Sequence, residues 1–165
     1  MANFTSTGSD TFPAGMIINT AVVKLASDGY RNASTAGLNF FNAVYTPTKN
    51  NSIIHAHLCV HFTAVSITGT NDNRKQIRYD ITGDDITNVT FAAGWTLGQW
   101  GDWHARTGHH LGYLVCKPVT VDGTGTAAIT YAFTGYNEAG DSGCNFTVHG
   151  DANKETMITF FEEAV

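Results

Sequence analysis

Charge is scarce in this sequence. Only 14% of its 165 residues are Asp, Glu, Lys or Arg, against about 25% in an ordinary soluble domain, so its surface has to be built from Thr, Asn, Ser and Gly. Positive charge is scarcer still. Nine Lys and Arg residues, scattered along the chain, leave a formal net charge of −5, which argues against a nucleic-acid binder because phosphate neutralisation needs clustered cations. The one local group, Arg74, Lys75 and Arg78, falls in "RKQIRYDI", where alternation reads as the solvated face of a strand. No apolar run approaches the roughly 20 residues that a membrane helix requires. The opening "MANFTSTGSDTFPAG" has neither the basic nor the apolar region of an export signal, and none is expected.

Cysteine and catalytic motifs are equally sparse. Cys59, Cys116 and Cys144 are an odd number, widely spaced and without a C-x-x-C, so neither a disulfide framework nor a zinc knuckle is predicted, although one pair can still bridge. Sequons at Asn3, Asn32, Asn50, Asn88 and Asn145 arise by chance in a chain this rich in Asn and Thr. No nucleophile elbow, H-E-x-x-H, P-loop or dinucleotide fingerprint is present. A glycosidase-type carboxylate pair is not indicated either: Asp84 and Asp85 read as a turn, Glu162 and Glu163 as the terminal edge of a strand. The chain is expected not to be an enzyme.

What the sequence does have is β periodicity. Runs of five to ten β-formers, broken by Gly, Asn and Asp clusters, replace any helical repeat. Strands are predicted over residues 16–25, 38–47, 53–67, 74–81, 86–95, 110–121, 127–136, 144–150 and 156–165. In the fourth, Lys75, Ile77, Tyr79 and Ile81 oppose Arg74, Gln76, Arg78 and Asp80, the pattern of a half-buried antiparallel strand. In the seventh, Ala127, Ile129, Tyr131 and Phe133 share a face. About eight or nine such strands predict an all-β antiparallel sandwich or jelly roll. The expected organisation is an N-terminal arm over 1–15 and one domain over 16–165.

Two segments carry candidate chemistry. The first is "IIHAHLCVH", residues 53–61, where strand geometry puts His55, His57, Cys59 and His61 on one face and Ile54, Ala56, Leu58 and Val60 on the other. His55 and His57 lie about 6.7 Å apart along the strand and can chelate one ion, whereas His61 is about 13 Å further on. A pair is not a closed site. A neighbouring strand offers no convincing partner, as a cupin-like metal protein would require, which leaves symmetry: three such pairs on a threefold axis would supply six imidazoles to a transition metal. The alternative is that this face simply packs, its histidines neutral and hydrogen-bonded. The second segment is a long loop over 93–110, holding Trp95, Trp100, Asp102, Trp103, His104, Arg106, His109 and His110. Flat rings beside Asp102 and Arg106 suit a host cell-surface glycan or receptor; the same tryptophans would equally serve as interface or core anchors.

The opening "DTFPAGMIINTAVVK", the strand "TPTKNNSIIHAHLCVHF" and the closing "MITFFEEAV" together resemble the jelly-roll domains at the ends of bacteriophage tail-fibre and other virion-surface proteins, especially those of phages with marine and cyanobacterial hosts. The resemblance covers the first 65 residues and the last ten or so; residues 70–150 share only β character. It implies a tumour-necrosis-factor-like homotrimer exposed on the virion surface, without enzymatic activity, acting as a receptor-binding tip or as a capsid decoration (cement or head-spike) protein in contact with other virion proteins. It also implies that a His-x-His pair can hold a metal on a threefold axis. No other cofactor is expected.

Overall fold

The computed structural model describes residues 13–27, 30–31, 38–66, 75–84, 86–87, 99–100, 108–122, 126–137, 144–151 and 153–165. They form twelve strands: β1 (Ile17–Lys24), β2 (Tyr30–Arg31), β3 (Leu38–Tyr45), β4 (Ser52–Ser66), β5 (Lys75–Thr82), β6 (Ile86–Thr87), β7 (Gln99–Trp100), β8 (Gly108–Val115), β9 (Val119–Val121), β10 (Ile129–Asn137), β11 (Cys144–Val148) and β12 (Met157–Ala164). Nine of these run to three residues or more, all pairings are antiparallel, and the described residues contain no helix. The chain is an all-β sandwich of two sheets, as the turn spacing predicts.

The larger sheet is organised by β4. One edge of β4 pairs with β12 and then with β11; the other pairs with β9 and then with β8. β1 lies outside β12, β2 outside β11, and β6 outside β9. The smaller sheet runs β3-β10-β5-β7. Alternation decides which side chains meet between the sheets. Ile54, Ala56, Leu58, Val60 and Phe62 of β4 are buried, as are Ile158 and Phe160 of β12. They face Phe41, Ala43 and Tyr45 of β3, Ile77, Tyr79 and Ile81 of β5, and Ile129, Tyr131 and Phe133 of β10.

Two boundaries differ from the sequence reading. The expected strand over 110–121 is broken into β8 and β9 at Cys116–Pro118, because Pro118 has no N–H to give to a ladder; the Cys116 N–H still donates to Ala56 O at 2.8 Å, keeping both pieces on the same edge of β4. The loop expected to reach residue 110 ends earlier, since β8 begins at Gly108. Of the strand expected over 86–95, Ile86–Thr87 is seen as β6, and 88–95 lie outside the described residues. Of the expected N-terminal arm, residues 13–15 are tied down: the Gly15 N–H donates to Ala164 O at 2.8 Å, and Gly15 adopts φ 84°, a conformation that glycine reaches at no steric cost.

β11 and β12 share one edge of β4, and the link between them crosses that edge at His61. The His149 N–H donates to His61 O, the Thr156 N–H to His149 O, and the Leu25 N–H to Thr156 O, so the crossing is stitched to β4 and to the end of β1. Gly150 makes it fit. A Cβ there would stand 2.6 Å from Leu25 O and 3.0 Å from backbone atoms of Ser27. Gly150→Ala is therefore expected to destabilise the fold by about 1–3 kcal/mol, the usual range for overpacking, measurable as a lower denaturant midpoint at unchanged m-value. An alanine variant as stable as the parent would show that the crossing yields freely.

The core also stores acidic protons. Burial pushes the Cys116 thiol up to about 12 from 9.0 and the Tyr79 phenol up to about 12 from 10.0, opposed by a hydrogen bond from the Lys117 N–H. It likewise raises Tyr131, and Tyr45 with further help from Glu162. Above pH 9 the unfolded chain sheds the thiol proton while the folded chain keeps it, so stability present below that pH falls as pH rises toward 12. Near pH 11, Cys116 alone withdraws on the order of 2–3 kcal/mol. Urea midpoints measured from pH 8 upward are expected to drop steadily beyond pH 9; a flat profile would contradict this.

Candidate functional site

The outer face of the larger sheet gathers the polar residues singled out above. Odd-numbered residues of β4 point to it, so His55, His57, Cys59, His61 and Thr63 form one row, all half-buried, and the alternation read from the sequence holds. Register supplies their neighbours. On β12, Phe161 stands opposite His55, Thr159 opposite His57 and Met157 opposite Cys59. On β8, Val115 stands opposite His57, Tyr113 opposite Cys59, Leu111 opposite His61 and His109 opposite Thr63.

Each imidazole in the row already has company. His55 Nε2 donates to Glu163 Oε2 at 2.6 Å, both side chains about two-thirds covered. The Tyr113 hydroxyl hydrogen-bonds His57 Nδ1. The His57 ring also lies edge-on to Tyr113 and Phe161, at centroid distances of 5.6 and 5.2 Å. His149 meets His61 edge-on at 6.0 Å, and its Nε2 pairs with Thr63 Oγ1 at 2.6 Å. The sequence reading found no convincing neighbouring-strand ligand to complete the histidine pair, and Glu163 on β12 enters instead as a hydrogen-bond partner of His55 alone. It was missed because the adjacent glutamates read as a strand edge, whereas β12 runs beside β4 and puts Glu163 diagonal to His55.

Glu162 is the larger surprise. Its parity is that of Ile158 and Phe160, and it is fully buried. The carboxylate accepts hydrogen bonds from the Tyr45 hydroxyl (2.9 Å), the Thr48 N–H (2.9 Å) and hydroxyl (2.7 Å), the Lys49 N–H (2.9 Å) and the Ser52 hydroxyl (2.9 Å). The turn between β3 and β4, which passes from one sheet to the other and holds Asn51 at φ 57°, is thus folded around one carboxylate. This is a structural anchor, with both carboxylate oxygens accepting hydrogen bonds from the protein itself.

For metal binding, the described residues contain no group of three or more His, Cys, Asp or Glu able to hold an ion. His55 and His57 lie two positions apart on the same face, and an ion held there would need ligands from outside the described residues. Cys59 and Cys116 are free thiols; burial raises Cys59 as it does Cys116. The side chain of Cys144 lies outside the described residues.

The receptor candidates are divided by the fold. Trp100 pairs with Lys75 at the edge of the smaller sheet, while His109 and His110 pair with Thr63 and Phe62 on the larger one. Trp95, Asp102, Trp103, His104 and Arg106 lie outside the described residues. β8 therefore brings the end of the Trp- and His-rich segment alongside the histidine row, a juxtaposition that the two stretches, some 50 residues apart, do not disclose.

No protein-family model and no curated protein matches the chain. Among solved structures, the crystal structure of the infectious bursal disease virus VP2 subviral particle is similar at a TM-score of 0.37 and 12% identity, over 89% of this chain and 37% of that one.

Proposed function

We propose that this chain is a non-enzymatic structural protein of a bacteriophage virion, exposed on the particle surface as a tail-fibre-tip or receptor-binding head and assembled as a homotrimer. One observation carries the reading. The three stretches that resemble phage virion-surface domains, at residues 10–24, 46–62 and 157–165, fall on β1, β4 and β12, which are direct neighbours in the order β1-β12-β4. Segments about 100 positions or more apart thus make one continuous piece of sheet, which supports the resemblance as that of a folded unit rather than of scattered words. In this reading the Trp- and His-rich segment over 93–110 contacts the host receptor.

The test is the copy number in purified virions by quantitative mass spectrometry. A few tens of copies or fewer is the expected result. Hundreds would make the chain a capsid decoration protein instead, and absence from virions would overturn the proposal.

A further inference from the structure

We infer that Tyr113 on β8 is a site of covalent acylation: its phenol oxygen takes an acyl group from an activated carboxylic acid derivative, such as a thioester or an acyl imidazole, while His57 on β4 accepts the phenol proton. The reaction is stoichiometric, one group per chain without turnover, and is additional to the structural role above.

The sheet assembles the pair from two strands. β8 lies along β4 with Val115 opposite His57 and Tyr113 opposite Cys59, so Tyr113 is diagonal to His57 and on the same face. The Tyr113 hydroxyl hydrogen-bonds His57 Nδ1, and the two rings meet edge-on at 5.6 Å. From β12, on the other side of β4, the Phe161 ring meets the same imidazole edge-on at 5.2 Å. His57 is therefore held between aromatic rings from both neighbouring strands. Tyr113 itself is 57% exposed, so an electrophile arriving from solvent meets a hydroxyl whose proton acceptor is already in contact. A nucleophile, a base in hydrogen-bond reach and a third group that orients the base make up the arrangement that activates a hydroxyl.

No other tyrosine side chain among the described residues combines access with a base. Tyr45 is buried and its hydroxyl donates to Glu162; Tyr79 is buried and its oxygen accepts from the Lys117 N–H; Tyr131 is fully buried. The side chains of Tyr30 and Tyr136 lie outside the described residues. Cys59 is the competing nucleophile, directly opposite Tyr113. Burial raises its thiol, which reduces the share of thiolate, the form that attacks.

The step balances within the pair. A neutral imidazole with its own proton on Nε2 leaves Nδ1 as the acceptor, so the phenol donates to it. As the Tyr113 oxygen bonds to the acyl carbon, the phenol proton passes to His57 Nδ1. The bond from that carbon to the leaving group then breaks, and the leaving group departs with the bonding electrons and collects the proton from the imidazolium. A phenyl ester at Tyr113 and a neutral His57 remain.

The test exposes the full chain to limiting N-acetylimidazole and follows each tyrosine by peptide mass mapping. A positioned general base contributes about 10²–10⁴-fold, so Tyr113 is expected to gain an acetyl group, removable by hydroxylamine, at least about 10-fold faster than any other tyrosine of the chain. His57→Gln, which keeps an oxygen for the phenol to donate to but supplies no base, is expected to slow that labelling at least about 10-fold. His57→Phe keeps a ring between Tyr113 and Phe161 and makes the same comparison if the glutamine variant does not fold. Tyr113 labelling no faster than the other tyrosines, acetyl found on Cys59 in its place, or a Tyr113 rate unchanged by loss of the imidazole overturns the inference.

Discussion

Replacing Glu162 with alanine is expected to lower the unfolding free energy by about 4 kcal/mol, dropping the melting temperature by about 8–16 °C for a chain of this size. The loss does not come from one hydrogen bond. Removing the carboxylate strips the acceptor from two backbone N–H groups, at Thr48 and Lys49, and from the hydroxyls of Tyr45, Thr48 and Ser52. Each buried donor left unpaired costs about 1–3 kcal/mol unless water reaches it. Thr48 is exposed and can recover a partner from solvent, and the Ser52 hydroxyl can turn to Lys49 O at 2.9 Å, while the Tyr45 hydroxyl is buried away from solvent. Glu162→Gln should fall between, because the amide keeps one accepting oxygen but turns an N–H₂ toward donors. By contrast, the Lys24–Glu155 pair at 2.8 Å is largely exposed, and Glu155→Ala should change stability by less than about 1 kcal/mol. Thermal melts of the three variants give the order; a Glu162→Ala variant no weaker than Glu155→Ala would remove Glu162 as the anchor of the corner.

The sheet-forming pattern was legible wherever one face is buried and the other is not. β4, β5 and β10 alternate so plainly that their faces were readable from the sequence, and Ile54, Ala56, Leu58 and Val60, Ile77, Tyr79 and Ile81, and Ile129, Tyr131 and Phe133 are found in the core. Pairing was not legible. That β8 lies along β4, or that β12 does, depends on contacts between residues about 50 and about 100 positions apart, whose register is set by the closed arrangement of all strands rather than by any local motif. The same distance hid both glutamates. Parity alone puts Glu162 beside Ile158 and Phe160, but a charged residue at an inward position is normally read as a strand end, since charges are almost never buried unpaired. Its donors come from residues 45–52, at least 110 positions earlier. For the histidine row, the facing and spacing were readable and the partners were not.

The other large effect belongs to Phe160. Its ring stacks on Tyr45 with centroids 4.9 Å apart and meets Tyr131 edge-on at 5.2 Å. Phe160 stands on β12 in the larger sheet, whereas Tyr45 and Tyr131 stand on β3 and β10 in the smaller one, so these contacts bind sheet to sheet. Phe133 is just as buried, but its ring partners among the described residues, Phe40, Phe41 and Tyr79, belong to its own sheet. Phe160→Ala is expected to cost about 3–5 kcal/mol, through lost transfer energy and a cavity whose walls are held by two different sheets and cannot easily close. Phe160→Leu should recover most of it. Phe161, one residue on and half-buried on the outer face against His57, should cost less than about 2 kcal/mol on truncation, since much of its surface is already in contact with water. Tyr131→Phe should be close to neutral, because the Tyr131 hydroxyl is buried without a hydrogen-bond partner and its removal leaves nothing unsatisfied. Urea unfolding of the four variants distinguishes these outcomes. If Phe160→Ala were as mild as Phe161→Ala, the aromatic bridge between the sheets would not be what holds this sandwich closed.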